Sequence, residues 1–304
     1  DGTWSDDEMG EHCLLFNLGR TLKPEHFEVL ADGKKGGPAV LAVTGQDTLL
    51  DFINLPSLLS SFPIFGDDLE IPMNPDADVP LTITRYYILA PNKRALRVVT
   101  AFRNDGDTEV IIGTGELVDS GGEVEFFNPA ANSKGFGSGS GGFSAQKLDF
   151  IAFRSPRGSH AYAPPPVNGS VGGSYLSIGG AAGILLGTDA LLPLLLGGKT
   201  KFDQSTAAVR IPAGAIITRD NLVVAGTGEL SSISEAVWTA RGVAVHGVTG
   251  AAVDAQGNPV VGARISLIHN GATKSQVITD AKGAFSGNVA TSPGDKNDGW
   301  QVQG

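Results

Sequence analysis

Two potential bases and two cations lie close together in the middle of the chain: Arg154, Arg157, His160 and Tyr162. Abstraction of a proton next to a carboxylate needs a base of tuned pKa, such as His or Tyr, and a cation that neutralises the carboxylate. These four residues are therefore candidate catalytic residues for such a proton abstraction. Their spacing is not diagnostic, and the simpler interpretation is that they are ordinary loop residues.

A long Gly/Ser-rich segment, residues 128–147, precedes this stretch. Loops of this length are usually functional or mobile. Sugar sites combine aromatic surfaces with polar groups, so we predict Phe136, Phe143 and Tyr162 as ligand-binding residues. The alternative is that the Phe side chains fold back and anchor the loop.

Four carboxylates surround a Gly-Gly pair at positions 121–122: Glu116, Asp119, Glu123 and Glu125. Two carboxylates can act as acid and base in glycoside hydrolysis when they lie about 5 or 9 Å apart. The favoured interpretation is a charged hairpin tip, because the sequence cannot supply that distance.

The histidines and the single cysteine indicate no metal centre. Metal clusters use closely spaced ligands, whereas no two of the five histidines lie within four residues of each other. Cys13 is the one cysteine, which excludes an internal disulfide and a multi-cysteine zinc site. Residues 295–299 are predicted to form a solvated turn rather than a calcium loop. We therefore expect no metal and no cofactor.

The net charge of the chain indicates which kinds of partner to expect. The net charge is −10, and no basic stripe is visible, so a nucleic-acid partner is not expected. The apolar run at residues 190–196 is too short to cross a bilayer and contains Pro193, so no membrane span is expected.

The composition predicts an all-β protein. The chain contains 42 Gly and 17 Pro, and short runs of Val, Ile, Thr and Phe outnumber amphipathic helical patterns. The clearest hairpin joins residues 81–90 to 95–103 through a Pro-Asn-Lys-Arg turn. One capping box, Ser232 to Glu235, predicts a short helix that runs to about Ala240 and marks a domain joint.

The C-terminal part carries two tight turns between alternating strands. Asp254 to Pro259 combines turn-forming Asp, Gly, Asn and Pro, and Thr279 to Gly283 is a second turn with Gly available for positive φ. This spacing resembles the carboxypeptidase regulatory-like domain, a transthyretin-like β-sandwich. The resemblance covers residues 241–304 and implies a fold rather than a chemistry. The sandwich is expected to be incomplete at its C-terminus.

A second resemblance rests on residues 81–104, which show a strand, a Leu-Ala-Pro turn, a strand and Arg-Asn-Asp-Gly. This segment resembles the β-supersandwich of galactose-mutarotase-like proteins. With residues 18–22, 37–40 and 55–58, it is similar to the non-catalytic front half of large secreted carbaryl-hydrolase-like metallohydrolases of the PHP type. The resemblance implies a large antiparallel β-supersandwich over residues 1–240 and a secreted, periplasmic or cell-surface location.

Three functions follow from this sequence. The first is a non-catalytic scaffold or binding module, the accessory part of a larger metallohydrolase-like protein, with a glycan or surface protein as partner. The second is a carbohydrate-active, polysaccharide lyase-like enzyme, because the supersandwich fold includes such lyases. The third is a surface or fibre protein that self-associates through strand edges.

Overall fold

The computed structural model describes residues 12–16, 20–49, 79–119, 125–129, 135–138, 142–144, 149–154, 158–164, 166–167, 170–171, 174–178, 182–186, 208–291 and 299–304. These residues form antiparallel strands, one α-helix and one 3-10 turn (Lys34–Gly36). The predicted all-β fold class is confirmed. None of the described helices is long and apolar enough to span a membrane.

Fourteen strands build one large antiparallel sheet. Their bounds are β1 (His12–Phe16), β2 (Arg20–Asp32), β3 (Ala39–Leu49), β4 (Leu81–Leu89), β5 (Ala95–Asn104), β7 (Thr114–Asp119), β8 (Glu125–Phe127), β9 (Gly137–Ser138), β10 (Gly142–Ser144), β11 (Ile151–Arg154), β12 (Ser159–Ala163), β15 (Ser174–Ile178), β16 (Ala182–Leu186) and β18 (Ile216–Gly226). They follow one another across the sheet in the order β10-β15-β16-β7-β1-β2-β3-β4-β5-β18-β12-β11-β8-β9. Two small sheets pair β6 (Val110–Ile112) with β17 (Val209–Ile211), and β13 (Pro166–Val167) with β14 (Ser170–Val171).

The hairpin of β4 and β5 confirms the strongest sequence prediction. Leu81, Ile83 and Arg85 are buried at alternate positions of β4, as the period of two requires. The connecting turn places Asn92 at φ 57°, a left-handed conformation that Asn tolerates better than most residues. Strand β18 then pairs with the other side of β5, so the hairpin lies in the middle of the sheet.

The large sheet curls back on itself. Strand β7 lies four positions from β4 in the sheet order, which is about 19 Å in a flat sheet with strands spaced about 4.8 Å apart. Side chains stand roughly perpendicular to a sheet, yet Arg85 on β4 donates hydrogen bonds to Glu116 on β7. This contact requires the two parts of the sheet to face each other, which gives the sandwich-like form.

The C-terminal strands form sheets of their own. Strand β19 (Ala244–Ala251) pairs with β22 (Ala284–Thr291), and β20 (Arg264–His269) lies between β21 (Ala272–Ile278) and β23 (Trp300–Gln303). Inward-facing apolar residues of these strands are buried, namely Ile265, Leu267, Val277 and Val289. The domain boundary expected at residue 240 stays a prediction.

Both turns expected in this part of the chain are present. The Asp254 carboxylate accepts hydrogen bonds from the backbone N–H groups of Gln256 and Asn258. The Asp280 carboxylate accepts from Lys282 N and Ala284 N in the same way. These side-chain bonds replace backbone partners that a tight turn leaves unpaired.

Helix α1 (Leu230–Ala240) ends where the sequence predicts but begins three residues earlier than the predicted capping box implies. The expected capping box placed Ser232 before the helix, whereas Glu229 is the N-cap residue. Ser232 Oγ instead works from inside the first turn, where it accepts from Thr227 N and donates to the Glu229 carbonyl. The predicted start was therefore wrong, because the Ser hydroxyl bonds backward to the preceding segment rather than forward to Glu235.

Candidate functional site

Three polar side chains lie in one row on the inner face of the large sheet. Thr100 on β5 is directly opposite Arg85 on β4 and also directly opposite Arg219 on β18. Arg85 and Thr100 are buried, and Arg219 is half-buried. Because the three strands are adjacent, the row places two guanidinium groups on either side of one hydroxyl.

Glu116 reaches this row from the facing part of the curled sheet. Arg85 Nη2 donates to both of its carboxylate oxygens, at 3.0 and 3.1 Å, and Asn221 Nδ2 donates to Oε1 at 2.6 Å. The side chains of Arg85 and Glu116 are 3% and 4% exposed. A buried ion pair is tolerated when additional hydrogen bonds satisfy its atoms, and Asn221 supplies one of them.

Tyr162 on β12 completes the cluster. Burial raises the pKa of its phenol well above 10, and the negative charge of Glu116 raises it further. Burial opposes the charge of Arg85, but Glu116 raises the pKa of this guanidinium overall. For Arg219, burial lowers the pKa. The phenol is therefore neutral at physiological pH, and Arg85 remains charged.

A cavity of about 20 Å³ lies against this cluster. It is lined by Leu14, Thr100, Phe102, Thr114, Gly115, Glu116, Tyr162, Arg219 and Asn221. This volume has room for a water molecule, whereas ligand pockets for drug-sized molecules measure about 300–1,000 Å³. This volume is too small to enclose a sugar ring.

The position of Glu116 corrects the sequence interpretation. We expected it on a charged hairpin tip, but it is buried and bonded across the sandwich. This expectation was wrong because β7 is covered by the curled sheet. Glu125 fits the expectation better: it is partly exposed and pairs with Arg154 and Arg264. The side chains of Asp119 and Glu123 lie outside the described residues.

The described candidate catalytic residues lie on two faces of the sheet. His160 and Tyr162 share one face of β12, since they are two positions apart. Arg154 is paired with Ser159, the neighbour of His160 in sequence, and therefore belongs to the opposite face. Its guanidinium donates to Glu125 Oε2 at 3.1 Å. Arg157 lies outside the described residues. The catalytic roles of these residues stay predictions.

His160 is held as a neutral ring. It is 8% exposed and stacks on Phe153, with ring centroids 5.0 Å apart. Its Nε2 atom has no hydrogen-bond partner among the described residues. Burial lowers the pKa of His160 from 6.5 to about 4, so the ring carries no charge at neutral pH.

Phe136 has the position of a loop anchor. Its ring is 5% exposed and meets Phe127 edge to face, with centroids 6.3 Å apart. It belongs to an apolar cluster that also includes α1 residues such as Ile233. Phe136 therefore does not present its ring to solvent. Phe143 lies in β10, and its side chain is outside the described residues. Ligand binding by these rings and by Tyr162 stays a prediction.

Helix α1 joins the large sheet to the C-terminal sheets. Its apolar residues Leu230, Ile233 and Val237 pack in the cluster of the large sheet. Its serine residues bond to the C-terminal strands. Ser231 Oγ accepts from Asn288 N at 3.0 Å, and Ser234 Oγ donates to the Lys274 carbonyl at 2.9 Å. The three-residue spacing of these serines places both on one helix face.

Three further contacts strengthen this joint. Glu229 Oε1 accepts from Ile278 N at 3.2 Å. On β20, Arg264 donates to Glu125 Oε1 at 2.6 Å and to the Phe136 carbonyl at 2.8 Å. The joint therefore combines apolar packing, hydrogen bonds of two serine hydroxyls and the contacts of Arg264. The sequence predicted a helix at a domain joint but did not indicate the contacts of Arg264, since its partners are more than 120 residues away in the chain.

Comparisons with solved structures find partial likenesses. An α-galactosidase from Lactobacillus brevis is 10% identical with a TM-score of 0.42, over 78% of this chain and 32% of that one. The GH36 α-galactosidase AgaA from Geobacillus stearothermophilus is 11% identical with a TM-score of 0.39, over 75% and 29%. A protein from Synechocystis sp. PCC 6803 is 9% identical with a TM-score of 0.35, over 66% of each chain.

The chain thus spans about a third of the length of the α-galactosidases that it is similar to. Likenesses with TM-scores below 0.5 do not assign a fold family. No protein-family model matches the chain. No curated protein sequence matches it either. The resemblances to carboxypeptidase regulatory-like domains and to PHP-type proteins therefore stay predictions.

Proposed function

We propose that this chain is a non-catalytic β-sandwich scaffold or binding module, the accessory part of a larger extracytoplasmic, metallohydrolase-like protein. The observation that carries the proposal is the joint at α1, which bonds to the large sheet on one side and to the C-terminal sheets on the other. Inter-domain motion is the default unless the interface is large and well packed. A joint with bonds on both sides suits a part that holds its neighbours in a fixed orientation.

The titratable groups support a non-catalytic role. A general base must reach the proton that it removes from a substrate. His160 and Tyr162 are both buried, and the nearby cavity has room for a water molecule rather than a sugar. Arg154, one of the two proposed neutralising cations, faces away from them and is paired with Glu125.

Assays of the folded chain on uronate polymers and on glycosides test this proposal. We expect no more product from the wild-type chain than from the variants His160→Gln and Tyr162→Phe. His26→Gln serves as a control, because His26 is exposed on β2. Product that is formed by the wild type and the control but lost in both site variants would contradict the proposal and support the lyase-like alternative.

Binding to a glycan or a surface protein would distinguish a binding module from a passive scaffold. A glycan array probed with the folded chain gives that distinction. Saturable binding to one class of glycan supports the binding module, and an empty array leaves orientation of a neighbouring domain as the role.

Self-association is a second candidate role, and the exposed part of strand β2 supports it. Among the described strands, β1 pairs with β2 only at Arg20, and Phe27, Val29 and Leu30 beyond it are exposed. An unpaired strand edge can accept a second strand. If the β2 strands of two molecules paired antiparallel with Val29 opposite Val29, His26 of one strand would lie opposite Asp32 of the other. No two residues of like charge within β2 would then face each other. Sedimentation velocity tests this role: concentration-dependent dimers that Phe27→Ser removes would support it, and a monomer at all concentrations would exclude it.

A further inference from the structure

Two basic turns lie side by side at one end of the large sheet. The first joins β2 to β3 over residues 32–38, and the second joins β4 to β5 over residues 90–94. Ala39 at the start of β3 is directly opposite Leu89 at the end of β4, which places both turns at the same end of the sheet. The two turns carry four cationic side chains, all of them exposed: Lys34, Lys35, Lys93 and Arg94.

The charge of these turns is opposite in sign to the charge of the chain. They contain four cations and one carboxylate, that of Asp32, and therefore carry a net charge of +3 in a chain of −10. Asp32 Oδ2 lies 2.9 Å from Lys34 Nζ. In the part of the chain that the structure describes, no ion pair joins Lys35, Lys93 or Arg94 to a carboxylate. A surface with an excess of one charge attracts a partner of the opposite charge.

An exposed apolar patch lies on the inner face of the sheet beside the basic turns. Val29 on β2 is in one row with Leu41 on β3 and Tyr87 on β4. Tyr87 follows the buried Arg85 by two positions, so this row shares the inner face with Arg85. The facing part of the sandwich therefore covers the inner face at Arg85 but leaves its end near the turns open. The apolar patch consists of three exposed side chains on this face, Phe27 (63% exposed), Val29 (68%) and Leu89 (43%).

The combination of an apolar patch with basic turns selects the kind of partner. A second copy packed face to face on the patch would bring the same positive charge to the interface, because a two-fold interface uses one surface twice. A soluble polyanion would pair with the cations but leave the three apolar side chains in water. The surface of an anionic bilayer offers negative headgroups and, just below them, acyl chains. An anionic bilayer therefore matches both the charge and the apolar patch.

We propose that the open end of the large sheet docks on the surface of a bilayer that contains anionic lipids. The apolar patch lies at the boundary between headgroups and acyl chains, and the long stems of Lys and Arg let their charged ends reach the lipid phosphates. Val224, which packs in the cluster of α1, is opposite Ala95, whereas Leu89 is opposite the next residue, Leu96. Because successive residues of a strand face opposite sides, docking uses the sheet face that α1 leaves free.

Flotation of the full chain with lipid vesicles is the first test. One set of vesicles contains phosphatidylcholine alone, and the other contains phosphatidylcholine and phosphatidylglycerol in equal amounts. We expect the chain to float with the mixed vesicles and not with pure phosphatidylcholine. Added salt should weaken this binding, because it screens the exposed charges. Equal binding to both kinds of vesicle, or binding to neither, would overturn the proposal.

Charge variants locate the contact. The double variant Lys35→Gln/Lys93→Gln should lower the partition coefficient on mixed vesicles about 25-fold, since each basic residue near an anionic surface contributes about fivefold. Lys282→Gln is the matched control, because Lys282 is exposed in a turn of the C-terminal strands. The control should bind like the wild type. A double variant that binds as tightly as the control would contradict docking through the basic turns.

The variant Leu89→Trp tests whether the apolar patch reaches the acyl chains. Its additional fluorescence should shift to shorter wavelength with mixed vesicles, because the indole ring leaves water, and should not shift with polygalacturonate, a soluble polyanion. Binding to polygalacturonate without any shift on vesicles would identify a polyanionic glycan as the partner and overturn the proposal. A dimer that Leu89→Trp disrupts, together with no binding to vesicles, would show that a second copy covers the patch and would also overturn it.

Discussion

Burial alone sets the protonation of His160, because no carboxylate is among the causes of its pKa shift. Its pKa of about 4 lies below the ordinary value of 6.5. Between these values the unfolded chain binds a proton that the folded chain does not, so stability falls as the pH drops from 6.5 toward 4. Above pH 6.5 both states are neutral, and the contribution is absent. Below pH 4, the difference between the pKa values of 6.5 and about 4 corresponds to a loss of about 3 kcal/mol in the free energy of unfolding.

The variant His160→Gln removes this titration. We predict that the wild type loses about 2 kcal/mol more stability than the variant between pH 7 and pH 5. Urea unfolding at the two pH values measures this difference. The control His26→Gln, at an exposed position, should follow the wild type. Equal losses in wild type and His160→Gln would show that His160 titrates normally in the folded chain.

The buried pair of Arg85 and Glu116 gives a second prediction at this scale. Removing one partner leaves the other charge buried and unpaired, which costs about 3–5 kcal/mol. We therefore expect Arg85→Met to lower the free energy of unfolding by that amount. The double variant Arg85→Met/Glu116→Gln should recover more than half of the loss, because the introduced amide is neutral and its oxygen still accepts from Asn221.

An exposed pair provides the comparison. Arg97 and Asp220 form an ion pair on the outer face of the same strands. Exposed pairs contribute about 0–1 kcal/mol, so Arg97→Met should change the free energy of urea unfolding by no more than that. A loss in Arg85→Met as small as in Arg97→Met would contradict a structural role for the buried pair.

At the scale of elements, the β2–β3 hairpin depends on a close approach at Gly45. A Cβ on Gly45 would overlap the carbonyl oxygen of Lys23, a backbone atom of the neighbouring strand. The register between β2 and β3 shifts between Pro24 and His26, next to this position. Bulges of this kind kink one strand and increase its twist. Gly45 is therefore required by space rather than by backbone conformation.

Gly45→Ala is predicted to destabilise the chain by about 1–3 kcal/mol, the usual cost of overpacking. Gly37→Ala is the matched control, because a Cβ there would meet only the Lys34 carbonyl at 3.8 Å, an ordinary contact. Thermal unfolding of both variants measures the difference. A Gly45→Ala variant as stable as Gly37→Ala would mean that the strands can separate locally at no cost.

At the scale of the whole molecule, the sequence predicted elements better than their assembly. The β4–β5 hairpin, the two C-terminal turns and the end of α1 follow from local alternation and turn chemistry. The polar cluster was missed, although one signal was present: Arg85 falls on the same face of β4 as Ile83. Its partner Glu116 could not be identified, because contact across four strand positions depends on the curl of the sheet.

The faces on which the candidate catalytic residues lie also depend on the register of the sheet. Proximity in sequence suggested a single site for Arg154 and His160. The pairing of β11 with β12 places them on opposite faces, and only the register of the sheet reveals this. Side chains on adjacent strands meet according to register and pleat rather than according to sequence distance.

We expect helix α1 to fix the C-terminal sheets to the large sheet. The most direct measurement is the distance distribution between spin labels at Thr218→Cys and Gln256→Cys, both exposed positions, in a Cys13→Ser background, by pulsed electron resonance. We predict one narrow distribution. Ser234→Ala combined with Arg264→Met should broaden it, and Arg97→Met should not. A broad or bimodal distribution without the joint variants would contradict the scaffold account.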